Sequence, residues 1–183
     1  MKQTIVIFCL AIALASCNNS APTQTGTDST ATTAKAAATE VVLPYKLEQP
    51  YKNWQIGSTE NVALAMKALK AYVDKDFATL TSLTGDSLDV TFDYFHSKMS
   101  RDSATKFFTI GRAMYSDLTV SMNDYESVIS ADKKDEWVTI WYKKNSKDNK
   151  GVADSMSIIN DIKMKDGKMI ILNEMTSHYP KKK

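Results

Sequence analysis

Apolar residues recur at three- and four-residue steps along Val62, Met66, Leu69, Val73 and Phe77, while Lys67, Lys70 and Asp74 fall largely off that stripe. This spacing predicts an amphipathic helix. Ser58 stands ahead of it as an N-cap, and Asn61 takes the place that a capping box gives to Glu or Gln. A second short helix carries Phe77, Leu80 and Leu83, with Gly85 expected as its stop. The period then changes to two. Leu88, Val90 and Phe92 share one face of a strand, and Asp89, Thr91 and Asp93 share the other. Residues 100–102 open a third helix, capped by Asp102 or Ser103, with Phe107, Phe108, Ile110, Gly111, Met114 and Tyr115 as its apolar positions. Glycine inside a helix costs about 1 kcal/mol against alanine, so Gly111 is read as allowing close packing on a sheet.

The remainder reads as strand. Residues 118–129 are rich in β-formers, and residues 136–144 contain Trp-Val-Thr-Ile-Trp-Tyr, an apolar run suited to a central strand. Residues 145–151 read as a polar hairpin loop and residues 152–165 as a long strand. Asp166-Gly167 is the strongest hairpin-turn signal in the chain, and residues 168–178 return. Helices first and strands afterwards predict an α+β fold with helices covering one face of an antiparallel sheet.

Alternation along the long strand sorts its side chains. Met156, Ile158, Asn160, Ile162 and Met164 form the more apolar face, expected to point inward, while Asp161 shares the outer face with Ser157, Ile159 and Lys163. Asn160 would then be a polar group in an apolar interior. Trp137 and Trp141, four apart, must share a face, and either pack in the core or wall an apolar pocket beside Met156, Ile158, Asn160 and Ile162.

The first residues break from this pattern. Met1-Lys2-Gln3 precedes an apolar run ending at small residues Ala15 and Ser16, the layout of a secretory signal, and too short for the roughly 20 residues of a spanning helix. Leu14-Ala15-Ser16-Cys17 resembles the bacterial lipobox, which implies cleavage before Cys17 and acylation of its sulfur. Several acyl chains anchor far better than one, each buried CH₂ contributing about 0.8 kcal/mol. Residues 18–40 are dominated by Thr, Ala and Ser, and cannot bury enough apolar surface to offset their ordering entropy. The expected organisation is a signal peptide at 1–16, an acylated cysteine and flexible tether at 17–52, and one domain at 53–183. In lipoproteins of Bacteroidetes-type bacteria an acidic patch soon after the cysteine sends the protein to the outer surface; none follows Cys17, so the resemblance to a lipoprotein of that kind implies an outer-membrane protein facing the periplasm.

Charge and chemistry narrow the field. Lys and Arg number 23 against 21 Asp and Glu, a net charge of +2, so no strong field points to nucleic acid, even with the lysines at 181–183. The two cysteines are Cys9, inside the signal, and Cys17, so no disulfide framework is available to the domain. With only His96 and His178 besides, no metal site and no cofactor are expected; neither a Gly-rich phosphate loop nor a G-x-S-x-G elbow is present.

The order of elements is similar to that of the nuclear transport factor 2-like superfamily, which includes the SnoaL-like polyketide cyclases and ketosteroid isomerase. The resemblance covers about residues 55–179 and rests on ENVALAMKALKAYVDKDFATLTSL, DSLDVTFDYF, WVTIWYKK and SIINDIKMKDGKMIILNEM. It implies a cone, a strongly curved sheet closing over helices, with a pocket at the wide end. It sets Asp93 near the isomerase branch's base and Asp161 near its oxyanion-hole carboxylate; Tyr72 lies late in the helix for the third position. His96, near Asp93, is a further general-base candidate. Three classes follow. The first is a lipid-anchored protein binding a small apolar or amphipathic molecule, or a protein partner, without catalysis. The second is an isomerase- or cyclase-like enzyme using Asp93 or His96. The third is an assembly module pairing two copies through the sheet face.

Overall fold

The structure, a computed structural model, describes residues 43–179. The signal-like run, Cys17, tether residues 18–42 and the lysines at 181–183 lie outside the described residues. The elements in chain order are β1 (Gln55–Ile56), α1 (Thr59–Asp74), α2 (Phe77–Leu83), β2 (Thr84–Phe92), β3 (Phe95–Ser100), α3 (Arg101–Ala113), β4 (Tyr115–Ile129), β5 (Glu136–Asp148), β6 (Ala153–Lys165) and β7 (Lys168–His178). The strands form one curved sheet in the order β1-β4-β5-β6-β7-β2-β3. All neighbours are antiparallel except β2 and β7, which run parallel. The three helices pack on its concave side.

Local chemistry fixes the helix ends. Ser58 Oγ accepts the Asn61 amide at 3.1 Å, while the Ser58 amide donates to Glu136 Oε1 at 2.8 Å, tying the start of α1 to β5. Lys75, at φ 64°, closes α1 in the left-handed conformation. Asp76 caps α2 by accepting the Thr79 amide. Ser100, rather than Asp102 or Ser103, caps α3. Asp166 and Gly167, at φ 50° and 70°, make the two-residue turn joining β6 to β7.

The face that α1 buries departs from the apolar stripe in the sequence. Its most buried residues are Val62, Ala65, Ala68 and Ala71, with Met66, Leu69 and Tyr72 flanking them. Small side chains let the helix axis approach the sheet closely, and the larger neighbours fill the sides. Against them stand Leu88, Val90, Val138, Ile140 and Ile158, all fully buried. Each contributes about 1.5–3 kcal/mol relative to exposure.

Three further expectations are corrected. Gly85 is not a left-handed helix stop; Thr84 ends α2 in extended conformation and Gly85 lies inside β2. A hairpin missed in the sequence, β2–β3, turns at Asp93 and Tyr94, with Asp93 at φ 42°. Residues 145–148, read as loop, extend β5 as strand. Ahead of β1, the Lys52 carbonyl accepts the Ala131 amide at 3.0 Å and its ammonium pairs with Asp135 at 3.3 Å.

Candidate functional site

The concave face and the helices enclose a cavity of about 250 Å³. Helix α1 supplies Ala65, Ala68, Leu69 and Tyr72, and α3 supplies Phe107, Phe108 and Gly111. The strands supply Phe92, Leu118, Val120, Tyr142, Ile162 and Leu172. Polar groups are few: Lys144, Asn160, Glu174 and the hydroxyls of Tyr72, Tyr115 and Tyr142. Met114 lines the cavity and is largely exposed, which places the opening beside the end of α3. Stacked rings continue outward from the wall, Phe107 on Phe95 at 5.1 Å and on Phe92 at 5.8 Å.

The polar groups converge because of strand register. Asn160 on β6 lies opposite Glu174 on β7, and Glu174 lies beside Phe92 of β2. Asn160 is 6% exposed, and its Oδ1 has no hydrogen-bond partner among the described residues. Tyr142 on β5, also buried, presents its hydroxyl to Asn160 and Glu174. Burial raises the Glu174 carboxyl above its ordinary range, and the nearby Asp93 charge adds to this; Lys144 and the Tyr142 hydroxyl oppose it. Burial pushes the Tyr72 phenol up to about 12 and the Tyr142 phenol well above its usual value. Lys144 Nζ sits over the Tyr115 ring, 5.5 Å from its centre. The site is therefore an apolar, aromatic-walled chamber with a carboxyl held toward its neutral form.

The residues singled out from the sequence divide. Asn160 and Ile162 line the cavity. Met156 and Ile158 share their inward face but pack in the core away from it. Trp137 and Trp141 do share a face, but it is the outer one: they alternate with the inward Val138, Ile140 and Tyr142, so they are not cavity walls. Lys163 stacks over Trp137 on that outer face. Asp161 also points outward and accepts a hydrogen bond from Thr139 Oγ1 at 2.9 Å. His96, on the edge strand, is exposed with Nε2 2.7 Å from Asp89 Oδ1, outside the chamber. Asp93 is exposed in the β2–β3 turn and reaches the site only through its charge on Glu174. Among the described residues no group of three or more His, Cys, Asp or Glu side chains could hold a metal ion.

Glu174, Tyr142 and Lys144 were missed. Tyr142 and Lys144 continue the inward alternation of Val138 and Ile140, so the signal was present. Gly111 was misread: it faces Tyr72 of α1, with the hydroxyl 3.7 Å from where a Cβ would stand, and not the sheet.

No protein-family model and no curated protein sequence matches the chain. Solved structures do. A SnoaL-like polyketide-cyclase protein from Jannaschia sp. CCS1 superposes with a TM-score of 0.56 at 13% identity, covering 67% of this chain and 91% of that one. An LEH-like epoxide hydrolase from M. tuberculosis gives 0.54 at 15% identity, covering 66% and 84%. A nuclear transport factor 2-like protein from Burkholderia xenovorans LB400 gives 0.51 at 11%, covering 67% and 93%. At these identities the likeness is one of architecture, and the described domain has the nuclear transport factor 2-like cone fold.

Proposed function

We propose that this chain is a cell-envelope binding protein, held by lipid on Cys17 at an outer membrane and facing the periplasm, whose cone takes up a small, largely apolar molecule. The observation that carries the binding reading is the chamber itself: about 250 Å³, walled by aliphatic and aromatic side chains, with its few polar groups gathered on adjacent strands. The anchor rests on the tetrad Leu14-Ala15-Ser16-Cys17 at the end of the apolar run. Binding to the folded form alone raises the thermal midpoint. Naphthalene at saturation should therefore raise the midpoint of the purified full chain. Gly111→Leu, which projects a side chain from α3 into the chamber, should abolish that rise. A wild-type midpoint that does not move would refute the reading.

One observation favours a second reading, proton transfer on the bound molecule. Asp93 and His96 stand outside the chamber, but Glu174 is inside it with a raised pKa, as a general acid or base requires. Turnover of any bound compound that survives Glu174→Gln unchanged would exclude it.

A further inference from the structure

Among the described residues, two charged side chains line the chamber, Lys144 and Glu174. Neither forms an ion pair with a described residue, so the fold leaves the Lys144 ammonium without a counter-ion. That ammonium stands at the mouth. Its Nζ lies 5.5 Å from the centre of the Tyr115 ring, and Tyr115 directly follows Met114, the exposed residue beside the opening. The other end of the cavity is apolar, closed by the buried Ile162, Met169 and Leu172. Strand register separates the two ends. Met169 pairs with Met164, which faces Glu136 at the start of β5, whereas Tyr115 pairs with Asp148 at the end of β5. A cation at the rim and an apolar floor are the two halves of a site for an amphipathic anion.

The two charges are not equivalent. The Tyr115 ring attracts the Lys144 cation and favours its charged form. Burial and the Asp93 charge favour the neutral form of Glu174, outweighing Lys144 and the Tyr142 hydroxyl, which oppose them. A cationic ligand would therefore meet an ammonium that keeps its charge. An anionic ligand gains that ammonium, while Glu174 can give up its own charge by taking a proton, after which it is a donor. The lining holds one lysine and no arginine, so it offers a single point charge and no bidentate fork. That suits a carboxylate better than a phosphate dianion. A cavity of roughly 150 Å³ holds one benzene ring, so about 250 Å³ leaves room for a body larger than one ring. Resting on the binding reading above, we infer that the chamber takes small amphipathic carboxylates, the apolar body on the floor and the carboxylate at the mouth against the Lys144 ammonium.

Naphthoate, naphthylmethylammonium and naphthalene separate the cases, because they share an aromatic body and differ in the charge at one end. Calorimetric titration of the purified full chain at pH 7 should show naphthoate bound about tenfold or more tightly than the ammonium. Lys144→Met keeps the apolar stem and removes the charge. It should lose that preference while naphthalene still raises its thermal midpoint; Lys144→Gln serves the same purpose if the methionine variant does not fold. Glu174→Gln should bind naphthoate at least as tightly as the wild type does. If naphthalene raises the wild-type midpoint but naphthoate is not the tighter of the two charged probes, the cavity is a binding site and the charge selection is wrong. If the preference persists in a folded Lys144 variant, or if Glu174→Gln weakens naphthoate, the carboxylate is held elsewhere and the assignment to Lys144 is overturned. If none of the three probes acts on the wild type, the binding reading falls and takes this inference with it.

Discussion

Asn160 and Glu174 face each other across β6 and β7 on the cavity side, while their sequence neighbours Asp161 and Asn173 face each other on the outside. An unbroken ladder running back from the Asp166-Gly167 turn would instead set Asn173 opposite Asn160. The pairing shifts by one residue between Lys163 and Met164, where Met169 pairs with Met164 and Ile171 with Lys163, leaving Ile170 as the extra residue. That single bulge turns a carboxyl, not an amide, into the chamber. A one-residue slip exchanges the two faces of a strand, so the site's chemistry depends on the bulge.

The pH dependence of stability should report Glu174. Its folded pKa is raised above the ordinary glutamate value of 4.5. The folded form therefore binds more protons than the unfolded form above that value, and stability falls as pH rises from about 4.5 through the folded pKa. Glu174→Gln removes this slope. The difference in thermal midpoint between Glu174→Gln and wild type should be smallest near pH 4 and grow in favour of the variant toward pH 7. Using the difference cancels Asp135, whose carboxyl is held below its usual range chiefly by its hydrogen bond from Lys163 and so contributes the opposite trend. A pH-independent difference would place the Glu174 carboxyl in water.

Two glycines should respond oppositely to alanine. At Gly85 a Cβ would stand 2.9 Å from Ile170 Cγ2 and 3.2 Å from the Met169 carbonyl, which is the strand carrying the bulge. Gly85→Ala should cost about 1–3 kcal/mol, the usual range for overpacking, and should also lower affinity for probes in the chamber by disturbing the Glu174 register. At Gly111 a Cβ would meet, among the described residues and outside its own helix backbone, the Tyr72 hydroxyl at 3.7 Å and nothing closer. Gly111→Ala should stabilise the domain by up to about 1 kcal/mol through helix propensity. Urea denaturation midpoints check both signs.

Arg112 is 5% exposed. Its Nε donates to the Val73 carbonyl at 3.0 Å and its Nη1 to the Tyr115 carbonyl at 2.8 Å. It thus ties α3 to the last turn of α1 and the first residue of β4, the elements that carry Tyr72 and Tyr115 into the chamber. Arg112→Ala should cost about 1–3 kcal/mol by leaving two half-buried carbonyls without their donor. Arg112→Lys should recover little, because an ammonium cannot reproduce the fixed fork of donors. Chemical denaturation of both variants distinguishes this from a solvated charge, for which either change would be near neutral.

These residues show how far the sequence speaks. Period-two and period-3.6 patterns placed α1, α2, α3, β2 and the four long strands, because burial on one face imposes them directly. The inward face of β6 followed from its alternation, and Asn160 with it. The bulge at Ile170 left no trace in the pattern, since it depends on the room Gly85 leaves on a neighbouring strand, and Glu174 was lost with it. Trp137 and Trp141 failed for another reason: a strand apolar on both faces gives no alternation to say which aromatic set is inside, and Tyr142 took that place. The β2–β3 hairpin was hidden because Phe95–Ser100 is a largely exposed edge strand.

Lipidation can be tested without the fold. Growth with an alkyne palmitate analogue should label the wild-type chain and leave Cys17→Ser unlabelled. Equal labelling of both would remove the anchor from the proposed function while leaving the chamber untouched.

Asn160→Leu should show what the buried amide does for the fold. The native Oδ1 is buried and unpaired, a state that costs about 1–3 kcal/mol of desolvation without return. Leucine has a similar size and nothing to satisfy, and its neighbours Ile140 and Ile162 are apolar. The substitution forfeits the approach of the amide to the Tyr142 hydroxyl, which still faces Glu174. The variant should therefore be as stable as the wild type or up to about 1 kcal/mol more stable by urea denaturation. If Asn160→Leu is instead destabilised by 1 kcal/mol or more, the amide is an ordinary core group satisfied within the protein, and the chamber's polar end must be sought at Glu174 and Lys144.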